Sequence, residues 1–435
     1  GKEEQEMIES IDVILWDKKV GTLVASREGH RGKACFYFDS DYVRDGYDIA
    51  PLRAPVKGVA AQRGLPVYPD EERIFGGLPS FIADSLPDHW GNTVFNEWAK
   101  VHHIRMRDLS ALDRLAYIGR RGMGALEFVP PTTEELETPF KVEIADLYQL
   151  ARQAFEEAGR FNVPVSGDLM VESLFKVGTS AGGRWPKAVV NVNFEEDQCY
   201  SGQVATPYPG YTPMIVKFDE HLKMPTTRIE YSYYLMAVDA GLQMMPSHLL
   251  EGDRAAHFLT ERFDRRNGKK VHIQTLAAMT PSADSYEALF DTAFRIGVPP
   301  GELRQLFRSM VLNVLGRNVD DHNKNFSFLM DHDGRWHVAP AYDYTFSVDP
   351  DAPYYVNRHS MTVNNKTEDI TAADLLEVAR RYDIKAAEPF IEKTIGIVSH
   401  YPEYGREAGV GEEWIKTIEE EIAARVECMR DNRTR

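Results

Sequence analysis

The chain has 435 residues, 43% of them hydrophobic and 27% charged, the proportions of an ordinary folded protein in a chain too long for one hydrophobic core, so two or three compact units are expected. Fifty Lys and Arg against 67 Asp and Glu leave a formal net charge of −17, which argues against nucleic-acid binding by the averaged surface and leaves Arg114, Arg120 and Arg121 around Gly119 as a solvated patch. Cys35, Cys199 and Cys428 form no Cys-x-x-Cys pair, which favours a reducing cytoplasm; no apolar run, basic-then-apolar leader or His/Cys cluster points to a membrane span, a secretory signal or a zinc site.

Ile11–Trp16 and Val20–Ser26 read as strands around a polar turn, Asp17-Lys18-Lys19, and Ala34–Phe38 continues in the same style, so a small β unit opens the protein. From Gly76 to Lys100 the residues Phe81, Ile82, Leu86, Trp90, Val94 and Phe95 supply an irregular helical apolar face. The apolar segment Leu109–Val129 ends at Pro130-Pro131-Thr132-Thr133, the clearest linker. Leu147, Leu150, Ala151, Ala154 and Phe155 predict a helix from about Asp146 to Gly159. Short runs then alternate with turns at Ala188–Phe194, Pro213–Phe218, Leu249–Leu250 and His257–Phe263, with a helix over Ile229–Ala240 between them; this is the texture of a mixed lobe around an antiparallel sheet. In the last third the period becomes helical. Leu303, Leu306, Phe307, Met310, Val311, Val314 and Leu315 line one face of Glu302–Leu315, and Trp414, Ile415, Ile418, Ile422 and Val426 do so in Glu412–Met429. Further helices are expected over Ala372–Tyr382, capped by Thr371, and Pro389–His400.

The sharpest chemical signal is Asn318-Val319-Asp320-Asp321-His322-Asn323-Lys324-Asn325, followed by a strand Phe326–Met330, the turn Asp331-His332-Asp333-Gly334, a strand Arg335–Val338 and Pro340-Ala341-Tyr342-Asp343. Asp320 and Asn325 have the Asp-x-x-x-x-Asn spacing of a kinase catalytic loop, and Asp343 follows a hairpin, where such enzymes place a metal-binding Asp. Phosphoryl transfer needs a carboxylate to orient and deprotonate the attacking hydroxyl, which suits Asp320, and hard oxygen ligands for magnesium, which suit Asn325 and Asp343. The plainer reading is that a polar loop after a helix collects Asp, Asn and His as caps and turn formers. Upstream, Gly178-Thr179-Ser180-Ala181-Gly182-Gly183 runs through Arg184-Trp185-Pro186 to Lys187, before a β-like run, and its freed amides suit phosphate oxygens; it is no Walker A motif, and alone it reads as a plain loop. Lys217 lies within the apolar strand Met214–Phe218, where an ammonium either snorkels or meets an anion such as the α- and β-phosphates of ATP. Glu230 is a candidate partner for it, although a helix-start Glu is favoured by the dipole alone. Together these reproduce the linear order of a bilobal kinase.

The chain resembles the HipA-type serine/threonine kinase toxins of bacterial toxin–antitoxin systems, through Phe81-Ile82-Ala83-Asp84-Ser85-Leu86-Pro87-Asp88, the Ser180–Lys187 loop, Glu261-Arg262-Phe263-Asp264-Arg265, Asp320–Asn325 and Pro340-Ala341-Tyr342-Asp343. The resemblance implies an α+β, bilobal, phosphoinositide-kinase-like protein-kinase fold with an added N-terminal β-rich subdomain and a mainly helical C-terminal lobe. The expected divisions are 1–135, the β-rich subdomain; 136–265, the kinase N-lobe with the Gly-rich loop; and 266–435, the helical C-lobe. It implies ATP and Mg2+ as cofactors, Asp320 as base, Asn325 and Asp343 on the metal, and nucleotide contacts from Lys187, Lys217, His322 and Lys324. Glu261 to Phe263 would form a hinge meeting adenine through its backbone, and Ser180 would be the autophosphorylated loop serine. It further implies a small helix-turn-helix antitoxin like HipB, which reaches operator DNA, and a protein substrate such as an aminoacyl-tRNA synthetase. Arg184 and Trp185 depart from the smaller residues familiar in that loop. A small-molecule or lipid kinase using the same residues, and a nucleotide-binding corepressor without turnover, are the competing readings; the acceptor labelled by ATP separates them.

Overall fold

The computed structural model describes residues 8–26, 32–71, 73–105, 109–132, 140–156, 186–202, 209–220, 222–252 and 254–431. Their contacts divide the chain into two units: Gly1–Phe218 with Glu261–Gln274 and His332–Gly334, and Asp219–Thr260 with Thr275–Asp331 and Arg335–Arg435.

In the first unit Trp16 and Asp17 both take positive φ, 47° and 64°, the two-residue turn whose twist suits an antiparallel hairpin. It joins the strands Ser10–Leu15 and Lys18–Ala25. The expected turn at Asp17-Lys18-Lys19 therefore falls one residue early, and both lysines begin the second strand. These strands lie centrally in a four-stranded antiparallel sheet, flanked by Ala34–Phe38 and Leu126–Val129. Ile11, Val13 and Leu15 alternate into the core, as a half-buried strand requires. Phe36 meets Phe81 edge-on at 5.3 Å, and the helix Ala111–Ile118 is closed by a reciprocal Ser110–Asp113 capping box.

The same unit contains a second antiparallel sheet. Lys187–Asn193, buried at every residue, runs between Gln198–Ser201 and Thr212–Lys217. Between the two sheets lies an ionic cluster. Arg262 grips Asp264 through Nε and Nη2, both at 2.9 Å, and Asp264 Oδ2 also accepts the Gly124 amide at 2.8 Å. Arg265 donates to the carbonyls of Gly124 and Gly122 at 2.9 and 3.1 Å, and Lys270 Nζ reaches Glu127 at 2.8 Å. Thus Arg262, Asp264 and Arg265, which look functional in sequence, fasten the β-rich part to its neighbour.

The second unit is mainly helical, with the hairpin Ser327–Met330/Trp336–Val338 and the pairing of Ser247–Glu251 with the strand Ala256–Glu261, whose last residue belongs to the first unit. Its central helix, Leu303–Leu315, buries Gln305, Ser309 and Asn313 as well as the expected apolar face. Those three share one stripe at four-residue spacing. The helices Ala372–Arg381, Ala387–Val398 and Glu412–Asp431 lie where periodicity predicts them, and Thr371 caps the first with Asp374 in a capping box. No helix among the described residues is long and apolar enough to cross a membrane.

Candidate active site

The loop carrying Asp320 begins where the buried helix ends. Arg317, at φ 56°, reverses the chain after Gly316, and a Cβ on Gly316 would stand 2.4 Å from Tyr344 Oη, so only glycine fits there. Asn318 then joins three segments. Its Nδ2 donates to Asn313 Oδ1 at 2.9 Å and to the Asp343 carbonyl at 3.3 Å, while its Oδ1 accepts from Ser347 Oγ at 3.3 Å. The same Ser347 oxygen accepts the amides of Val319 and Asp320 at 2.7 and 3.1 Å.

Adjacent carboxylates meet opposite fates. The side chain of Asp320 is 70% exposed, and His322 Nε2 lies 3.9 Å from it. That of Asp321 is wholly buried: Oδ2 accepts from Tyr286 Oη at 2.6 Å and lies 2.8 Å from His359 Nδ1, and Oδ1 accepts the Ser360 amide at 2.8 Å. Asp321 is therefore an anchor. Although much of the side chain meets solvent, the partial desolvation of the Asp320 carboxyl by the surrounding loop lifts it above its ordinary value; His322 opposes this, and the negative neighbours Asp343 and Asp321 add to it.

Asn325 Nδ2 donates to the Asp320 carbonyl at 2.7 Å. Only the amide nitrogen can serve that partner, which leaves Oδ1 as the atom to face a cation. His322 Nδ1 accepts the Lys324 amide at 3.2 Å, capping the short 3-10 turn Asn323–Asn325. Tyr342 Oη donates to the Lys324 carbonyl at 2.8 Å, and one residue later Asp343 takes φ 54°. A non-glycine residue in the left-handed region is costly and is retained where surrounding structure demands it. A cavity of about 30 Å3 is bounded by polar Asn313, Asn318 and Asn325 and by apolar Leu242, Leu306 and Phe326 among others. Among the described residues no group of three or more His, Cys, Asp or Glu could hold a metal ion by itself.

Asp320, His322, Lys324, Asn325 and Asp343 thus belong to one loop-and-hairpin assembly of the second unit. In the first unit Lys187 and Lys217 are directly opposite cross-strand partners. Two ammonium groups on one face of a sheet repel, and an anion beside them offsets that. Glu261 ends the strand Ala256–Glu261, whereas Phe263 falls in the turn beyond it. Glu230 stands one turn inside the helix Thr226–Asp239, which starts earlier than periodicity suggests. Gly178, Thr179, Ser180, Ala181, Gly182 and Gly183 lie outside the described residues. Sequence reasoning missed Asn318, Asp321, Tyr286, Ser347 and His359; the visible signal was the polar stripe Gln305, Ser309, Asn313 among the apolar residues of that helix.

Two family models match the chain, the HipA N-terminal domain over residues 11–129 and the HipA-like C-terminal domain over residues 179–427. The chain belongs to the HipA family. A chain of the Shewanella oneidensis MR-1 toxin–antitoxin complex of HipA, HipB and operator DNA shares its fold, with a TM-score of 0.66 and 18% identity over 96% of this chain and 97% of that one. The Helicobacter pylori proinflammatory kinase CtkA aligns with 52% of this chain and 90% of its own, at 16% identity and a TM-score of 0.36. No curated protein matches the chain. The HipA-like fold is a mixed α and β one with its β-rich part at the N-terminus, as the resemblance implied.

Proposed function

We propose that this HipA-like chain is an ATP- and magnesium-dependent protein serine/threonine kinase, the toxin of a toxin–antitoxin pair working in the cytoplasm beside a HipB-like antitoxin. The observation that carries the reading is the junction at Asn318 and Asn325. Through it the backbone of Asp343 and the carbonyl of Asp320 are tied to one loop, so that three hard oxygen donors belong to a single assembly. Such a set suits magnesium, which binds by one or two protein oxygens and completes its shell with phosphates and water.

In this reading Asn325 Oδ1 and Asp343 hold the metal, whose charge neutralises the triphosphate. Asp320 accepts the proton of the acceptor hydroxyl while the γ-phosphoryl group passes to that oxygen and ADP leaves. Its raised carboxyl value matches a group that must take up a proton. Lys187 and Lys217 supply positive charge for phosphate, with His322, Lys324, the Gly178–Gly183 loop and the Glu261–Phe263 segment as further nucleotide contacts. Ser180 is the autophosphorylation site, and the acceptor is a cellular protein, an aminoacyl-tRNA synthetase being the first candidate to try.

Incubation with ATP and magnesium, followed by mass spectrometry of the chain and of a bacterial lysate, tests the reading. Label on Ser180 and on lysate proteins is expected. Absence of label on both refutes it.

A further inference from the structure

In the second unit the helices Leu303–Leu315 and Ala387–Val398 pack together, and both line a cavity of about 250 Å3. No residue of the Asp320 loop or of the hairpin leading to Asp343 lines it. Four of its lining residues are cations, Arg304, Arg308, Lys385 and Lys393, and none is a carboxylate. Acidic residues outnumber Lys and Arg by 67 to 50 in the chain, so composition alone does not supply a wall of positive sign. The rest of the lining is apolar or glycine, with Phe307 and Phe390 meeting at 6.0 Å. A cleft with charges of one sign over low-dielectric walls focuses its field and concentrates counter-ions.

The plainer reading is a set of solvated surface cations, and three features weigh against it. Arg304 and Arg308 stand four residues apart on one helix, a spacing at which like charges destabilise the helix that carries them. Arg308 is held in place without being neutralised: its Nη1 donates to the Gly241 carbonyl at 3.1 Å and its guanidinium lies 5.7 Å over the Phe390 ring. On the second helix Ala386, Pro389, Phe390 and Lys393 follow one face at three- and four-residue spacing, which leaves Glu388 and Glu392 off the lining. Lys385 has a carboxylate beside it, Asp383 at 2.6 Å, in a pair whose side chains are 71% and 81% exposed and which therefore binds weakly. Arg304 and Lys393 make no ion pair among the described residues. The helix Ala387–Val398 also starts at the cavity, from Ala386 at φ 55° and without a side-chain cap, so the positive end of its dipole adds to the same field.

We propose that this cavity binds a small oligophosphate, free or as part of a nucleotide, at a site separate from the one assigned to the phosphoryl donor. Guanidinium groups match phosphate oxygens through paired hydrogen bonds, and four cations around an apolar recess suit a ligand that carries several charges in a small volume. The assignment does not depend on the kinase reading, because none of its residues belongs to that site.

The test is titration calorimetry of the full chain with pyrophosphate and with ADP, without metal, in a Lys217→Gln background that weakens the other phosphate site. Saturable binding is expected, weaker by about tenfold or more in Arg304→Glu/Lys393→Glu. Both positions are exposed, so the urea midpoint of that variant should match its parent. Lys57 and Arg63, exposed in the first unit, provide the control: Lys57→Glu/Arg63→Glu makes the same change in net charge and should alter affinity by less than about twofold, since distant exposed charges are screened. ADP binding no tighter than pyrophosphate identifies a free oligophosphate; tighter ADP binding, lost in Arg304→Glu/Lys393→Glu, identifies a nucleotide. No saturable binding, or the same loss in both double variants, overturns the assignment. Duplex DNA that binds more tightly than either probe and is lost in Arg304→Glu/Lys393→Glu also overturns it, in favour of a nucleic-acid surface.

Discussion

Asp321→Ala should unfold the protein more readily, and Asp320→Ala should not. Asp321 is wholly buried and serves Tyr286 Oη, His359 Nδ1 and the Ser360 amide. Its removal leaves three interior polar groups short of a partner, at about 1–3 kcal/mol each. Tyr286 Oη keeps its bond from Asn313 Nδ2 at 3.0 Å, which reduces the sum to about 2–6 kcal/mol, a large part of the roughly 5–15 kcal/mol that holds an ordinary domain folded. In urea unfolding followed by circular dichroism the midpoint should fall at constant m. Asp320 is exposed, and in the side-chain contact with His322 at 3.9 Å it loses little; its removal should change stability by less than about 0.5 kcal/mol. Phosphate transfer should nonetheless drop at least about 10²-fold, the contribution of a general base alone. Two results would refute the reasoning: a wild-type midpoint for an inactive Asp321→Ala, which would make Asp321 a chemical group, or full transfer by Asp320→Ala.

Two other perturbations follow from buried charge. Burial alone would lower the pKa of His337, but hydrogen bonds to Glu302 Oε2 at 2.9 Å and Asp331 Oδ2 at 2.8 Å raise it above its ordinary value. Its stabilising contribution is therefore full below an unfolded pKa of about 6.5 and fades as pH rises through the folded value; His337→Gln should flatten stability across that window, and an unchanged pH slope would discredit the pairing. Burial would raise the Asp264 carboxyl, but the charges of Arg262 and Arg265 hold it far below the ordinary range, so its contribution is present above an unfolded pKa of about 3.9 and is lost as pH falls through the folded value. Asp264→Asn should cost about 3–5 kcal/mol by leaving buried guanidinium groups without their counter-charge, a loss read as a lower urea midpoint; a midpoint equal to wild type would show that the cluster is dispensable.

Local signals were the ones legible in the sequence. The strand Ala34–Phe38 and the Thr371 cap follow from alternation and from a side chain acting on its own helix. The misplaced hairpin turn shows the limit: the polar run Asp17-Lys18-Lys19 looks like a turn, yet the pair in left-handed geometry includes Trp16, whose indole donates to the Lys270 carbonyl at 2.8 Å. That partner is 254 residues away, beyond any local rule. The helix Tyr286–Arg295 carries equally local signals, for Ser285 caps it and Tyr286, Leu289, Phe290 and Ala293 share its buried side. At the site, spacing alone singles out Asp320, Asn325 and Asp343. It cannot rank Asp320 against Asp321, because what buries one of them is His359, 38 residues on.

The structure that sorts those two carboxylates also accounts for the strain around them. Arg317 and Asp343 both occupy the left-handed region, at φ 56° and 54°, and non-glycine residues there cost of order 1–3 kcal/mol each. Something must hold them. Asn318 is the side chain that touches both positions, being next to Arg317 in the chain and donating to the Asp343 carbonyl, and both its amide nitrogen and its oxygen are engaged. Its other anchor, Asn313, belongs to the polar stripe of a helix whose buried residues are otherwise apolar, where an unpartnered amide would be destabilising. The buried helix therefore needs the loop to satisfy its polar groups, and the loop needs the helix to keep its strained backbone; the acidic residues are presented by that mutual requirement rather than by their own spacing.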